Sequence, residues 1–98
     1  MNDDAQTAAM DALPGLKLSG RLDDVLSQLH LLYETAAHAA SPPTGVRFYL
    51  RRDIYKVLER TGIRQGLDAW AAGQGLERRW YAADRIPFPQ DVIKIAFE

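Results

Sequence analysis

The chain contains no cysteine. Disulfides, thiolate metal sites and a cysteine nucleophile are therefore excluded, and the composition suits a reducing compartment. Histidine is nearly as scarce. His30 and His38 are the two, eight residues apart, and both read as surface side chains. Long apolar runs are missing as well; none reaches the roughly 18 residues that a membrane-spanning helix needs. The N-terminus carries Asp3, Asp4 and Asp11 and lacks the basic-then-apolar order of an export signal. A cytoplasmic protein that does not enter a membrane is the expectation. No single sign of charge dominates either, because the net charge is −1 and the pI about 6.1. Catalytic signatures are absent: there is no serine nucleophile elbow, no glycine-rich phosphate loop after a strand and no HExxH run. The expectation is a non-enzymatic protein without a cofactor or a metal.

What is present fits one folded domain. The chain has 98 residues, too few for two independent cores, and its hydrophobic fraction of 47% is high enough to exclude wholesale disorder. Charge is unevenly spread. Up to residue 46 the cations are Lys17 and Arg21, against Asp3, Asp4, Asp11, Asp23, Asp24 and Glu34. From residue 47 to residue 86 cations prevail: Arg47, Arg51, Arg52, Lys56, Arg60, Arg64, Arg78, Arg79 and Arg85 against Asp53, Glu59, Asp68, Glu77 and Asp84. Such asymmetry marks either an anion-binding face or a solvated surface of mixed ion pairs.

Residues 1–18 read as a flexible tail broken by Pro14-Gly15, with Leu16 and Leu18 as a lead-in to the domain of residues 19–98. Leu22, Val25, Leu26, Leu29, Leu32, Tyr33, Ala36 and Ala40 recur at helical spacing and predict a helix over Arg21–Ala40. Ser19 is placed to cap it, and Ser41-Pro42-Pro43 ends it. Its Ala-rich end permits close approach of a second element, either the domain's own core or the same helix of a homodimer partner. Val46–Leu50 alternates as a short strand with one buried face. Arg51–Arg60 predicts a helix with Ile54, Val57 and Leu58 inward and Arg52, Lys56 and Arg60 as a basic ridge. Gly62 suits a left-handed turn, and Ile63, Leu67, Trp70 and Ala71 form the stripe of the next helix. Leu76–Ala83 and Val92–Phe97 both alternate, and the Pro87-Phe88-Pro89 loop between them predicts a hairpin. Trp70 and Trp80 read as packing residues. Tyr49 and Tyr81 fall on strand faces away from the expected core, where they either cover the sheet or stack on a partner.

The order helix, short strand, two helices joined at Thr61-Gly62-Ile63, and a terminal pair of strands entered through Gly75-Leu76-Glu77-Arg78-Arg79-Trp80 resembles the winged helix-turn-helix superfamily. The resemblance implies an α+β fold with a C-terminal β-hairpin and a small transcriptional regulator that binds duplex DNA. It lays the second helix of the pair in the major groove and brings the wing tip near Arg85 to the adjacent backbone. It further implies phosphate contacts from Arg51, Arg52, Lys56, Arg78 and Arg79, with Arg64 and Gln65 as base-edge readers.

The same residues also suit a protein-interaction module of the adaptor, inhibitor or immunity type, with Tyr81, Phe88 and Trp80 as anchors of a hairpin surface. Surface charge separates the two. One continuous basic face across Arg52, Lys56, Arg78 and Arg79 favours DNA, whereas scattered ion pairs favour the module.

Overall fold

Val46, Phe48 and Leu50 point one way along their segment while Arg47 and Tyr49 point the other, which gives a strand with one apolar face. The computed structural model describes residues 12–18, 21–39, 41–84 and 91–98 and makes this strand an inner member of the sheet. The elements are β1 (Gly15–Lys17), α1 (Leu22–Ala37), β2 (Gly45–Arg51), α2 (Arg52–Thr61), α3 (Ile63–Gly73), β3 (Glu77–Ala83) and β4 (Val92–Phe97). Among the described residues the chain is thus a small α+β domain of three helices and one four-stranded mixed sheet, ordered β1-β4-β2-β3. β3 runs parallel to β2 along its whole length, from Gly45↔Glu77 to Arg51↔Ala83. β4 runs antiparallel to β2 on one side and to β1 on the other.

The expected α+β class and the succession of helix, strand, two helices and two strands are present; the expected hairpin is not. β3 and β4 do not pair, because β2 lies between them and takes a ladder from each. The stretch from Asp84 to Asp91 is long enough to cross two interstrand spacings, about 10 Å, so nearness in sequence did not dictate pairing. The inner position goes to the strand that buries Val46, Phe48 and Leu50 completely or nearly so.

The N-terminal boundary also moves. Residues 15–17, expected in the tail, form edge strand β1, and Leu16 is wholly buried. Leu18 N–H donates to Asp91 O at 2.8 Å, and Lys17 N–H to Gln28 Oε1 at 2.9 Å, which ties the segment to β4 and α1.

Local chemistry explains the helices. Asp23 and Asp24 sit in the first turn of α1, where the helix dipole favours negative charge, and the Arg21 N–H donates back to the Asp24 carboxylate. Ser19 and Ala40, the expected limits of this helix, lie outside the described residues. Val25 and Leu29 are fully buried, and Leu22, Leu26, Leu32 and Tyr33 pack around them, so the α1 stripe is used by the domain's own core. Gly62 separates α2 from α3 at φ 77°, a left-handed conformation that a side chain adopts only with strain. Gly66, unfavourable in a helix by about 1 kcal/mol relative to alanine, has a packing reason. A Cβ there would lie 2.6 Å from Leu22 Cδ1, so its absence lets α1 and α3 close on each other. Val57, expected inward on α2, is instead 38% exposed, and Leu58 alone of that helix is fully buried.

Candidate nucleic-acid interface

Strand alternation divides the sheet into two chemically different faces. One face presents Leu16, Val46, Phe48, Leu50, Ile93 and Ile95 to the helices, and all six are buried in a single core with α1, α2 and α3. Arg78, Trp80 and Ala82 of β3 share that face, since they pair in register with Val46, Phe48 and Leu50. The opposite face carries Glu77, Arg79 and Tyr81 from β3, Arg47, Tyr49 and Arg51 from β2, Lys94 from β4 and Lys17 from β1. No described helix packs against it. Five cations there meet Glu77 and Glu98, while Asp23, Asp24, Glu34, Asp53, Glu59 and Asp68 all belong to the helices. The helices carry cations of their own, Arg52, Lys56, Arg60 and Arg64, so it is the scarcity of acids that sets the open face apart.

The cations of the open face are held in different ways. Arg47 Nε lies 2.8 Å from Glu98 Oε1, with its guanidinium 5.8 Å from the centre of the Tyr49 ring. Arg51 reaches Asp53 at 3.3 Å, beside the start of α2. Lys94 Nζ donates to Leu13 O at 3.0 Å. The pKa of Arg79 is raised above its ordinary value, first by hydrogen bonding to Tyr81 and then by the charges of Tyr81, Glu77 and Glu98. It stays charged at any pH at which the protein is folded. Tyr49 and Tyr81, paired in register, stack with ring centres 5.1 Å apart and planes 17° from parallel.

The residues expected to form one DNA-binding surface are not brought together. Arg78 and Arg79 are neighbours in a strand and so point to opposite faces. Arg78 turns to the helix side and pairs with Asp68 at 3.2 Å. Arg52 pairs with Asp84 at 3.5 Å, both well exposed. Lys56 and Gln65 are exposed on α2 and α3. Arg64, expected to read a base edge, donates to Glu59 at 3.0 Å and lies 4.0 Å from Asp68. It also covers the Tyr55 ring at 4.9 Å and the Trp80 ring at 5.9 Å. Trp80 is equally committed: its Nε1–H donates to Asp68 at 2.7 Å and its ring stacks on Phe48 at 4.3 Å. It is a packing residue, not a surface anchor. Tyr81 is 42% exposed. Arg85 and Phe88 lie outside the described residues.

The open face was half legible in the alternation that set Tyr49 and Tyr81 away from the core. What the pattern missed was Lys17 and Lys94 as their companions, since that grouping depends on which strands are neighbours. Elsewhere, α1 and α3 enclose a shallow hollow of about 630 Å³ lined by Asp23, Leu26, His30, Leu31, Glu34 and Trp70. His30 is 3.1 Å from Glu34 there. Among the described residues no cluster of three or more metal-ligating side chains occurs, and no helix is long and apolar enough to cross a membrane. No protein-family model matches the chain, and comparison with curated proteins and with solved structures gives no match.

Proposed function

We propose that this chain is a small nucleic-acid-binding protein that acts without catalysis, and that its contact surface is the helix-free face of the sheet. The observation that carries the reading is the set Lys17, Arg47, Arg51, Arg79 and Lys94 on one face, where the described acids are Glu77 and Glu98, with Asp53 of α2 paired to Arg51. A cationic surface of this kind attracts a polyanion by displacing its counterions, and the attraction weakens as salt rises. The overall charge of −1 does not oppose this, because the acids of α1, α2 and α3 lie on the other layer of the domain. Contact through α3 as a recognition helix has less support: Arg64 already binds Glu59, and Asp68 already binds Arg78 and Trp80.

The test is binding of a fluorescent oligonucleotide to the full chain across a salt series. With about two net cations on the face once Asp53 is set against Arg51, log affinity should fall against log salt with a slope of roughly −1.5 to −2. Arg47→Ala with Arg79→Ala should flatten that slope and weaken binding at least tenfold, while Arg52→Ala with Lys56→Ala leaves both nearly unchanged. The reverse pattern would return the contact to the helices. Absence of binding at low salt would remove the nucleic-acid reading altogether.

A protein-interaction module remains the second reading, favoured by the paired charges on the helix side and by β3 as an edge strand. That edge is seven residues long and displays Tyr81. It offers backbone groups to an added strand.

A further inference from the structure

The geometry points to single-stranded rather than duplex nucleic acid as the ligand of this face, held by stacking of an unpaired base on Tyr81. This rests on the proposed function and adds what the surface recognises. Tyr49 and Tyr81 sit on adjacent parallel strands in register, with their rings nearly parallel, so together they form the start of a column of rings. One side of that column is closed. β4 lies beyond β2, where Lys94 stands opposite Tyr49. The other side is open, because β3 is the edge of the sheet and no described strand continues past Tyr81. A flat base can extend the column there, next to Arg79 two positions earlier on the same face of β3.

Charge alone does not distinguish single strands from duplexes, since both present phosphates. Exposed ring faces do. Bases in a duplex are covered above and below by their neighbours, so tyrosines on an open sheet gain little from them. An unpaired base has a free π-face, and stacking it on an aromatic side chain is sequence-tolerant. The tyrosines are also poorly explained by folding. Neither belongs to the core, and Tyr81 is the one aromatic among the described residues counted as a large exposed apolar side chain. Arg79, hydrogen-bonded to Tyr81 on the edge strand, keeps a cation at the open end of the column, within reach of a phosphate of the stacked nucleotide. Stacking with an adjacent guanidinium is the combination that single-strand-binding surfaces use.

The experiment compares a fluorescent fifteen-nucleotide thymidine strand, the matching uridine strand and a blunt duplex of equal length, each titrated with the full chain at low salt. Both single strands should bind more tightly than the duplex. Tyr81→Ala should weaken single-strand binding about 5- to 150-fold and duplex binding less than twofold. Tyr81→Trp should restore or exceed the original affinity, and circular dichroism checks that each variant is folded. Equal affinity for strand and duplex, with Tyr81→Ala changing neither, would overturn stacking while leaving the charge-based reading intact. Failure of all three ligands to bind would overturn both. A preference between the thymidine and uridine strands tells DNA from RNA; equal binding shows that the site reads base and phosphate without the sugar.

Discussion

Replacement of Leu16 by alanine tests the most unexpected part of the fold. Leu16 is wholly buried although its strand has three residues and stands at the sheet edge. It pairs with Ile93 and joins the core shared by Val25 and Leu29. Truncating a buried leucine removes apolar contact and leaves a cavity, at a cost of 2–5 kcal/mol in well-packed cores. An edge strand can relax inward more readily than a central one, which places the expected loss at about 3 kcal/mol. Against a total stability on the order of 5–10 kcal/mol for a domain of this size, that is a large share. It corresponds to a fall in Tm of roughly 12–24 °C. Urea unfolding followed by tryptophan fluorescence gives the number directly. Lys17→Ala, exposed on the opposite face of the same strand, is the control and should stay within about 0.5 kcal/mol. If Leu16→Ala also changed stability by less than about 0.5 kcal/mol, β1 would contribute nothing and the domain would begin at α1, as the sequence pattern suggested.

Three further perturbations have definite expected outcomes. Gly62→Ala should destabilise by about 1–2 kcal/mol in urea melts, because φ 77° strains any side chain although there is open space around it. Gly73→Ala should do the opposite and stabilise by up to about 1 kcal/mol, since Gly73 is helical and nothing lies within 4 Å of its added Cβ. Asp68→Ala should cost about 1–3 kcal/mol, chiefly by leaving the half-buried Trp80 Nε1–H without an acceptor. Asp68→Asn keeps an acceptor and should cost less than half as much; equal losses for the two would assign the role to charge rather than to the hydrogen bond.

The sequence revealed elements better than partners. Periodicity located each helix within a few residues, because the stripes Val25-Leu29 and Ile63-Leu67-Ala71 each require one buried face. It also sorted β2 correctly into inner and outer residues, as Phe48 against Tyr49 shows. β1 escaped notice because three residues show no period and Pro14-Gly15 looks like a break. Pairing escaped for a different reason. Alternation fixes which face a side chain takes but not which strand stands beside it, so β3 and β4 looked like a hairpin when both are neighbours of β2. The candidate site suffered most from this. Arg78 and Arg79 do not form one basic group, because adjacent strand residues face opposite ways, and Arg64 looks suited to a base edge in the sequence because Glu59 and Trp80 are brought to it only by the fold.

The position of β4 has a consequence for how the chain is made. β4, the last of the described strands, is inserted between β1 and β2, the first two of them. Until residues 92–97 leave the ribosome, β1 has no partner and β2 lacks one side of its ladder, so the growing chain has no stable sheet to rest in. Folding must wait for residues 92–97, with Phe48 lacking its neighbour Ile95 until then. A chain cut short before Val92 should therefore fail as a whole rather than lose one strand, which makes such truncations natural substrates for chaperones and proteases.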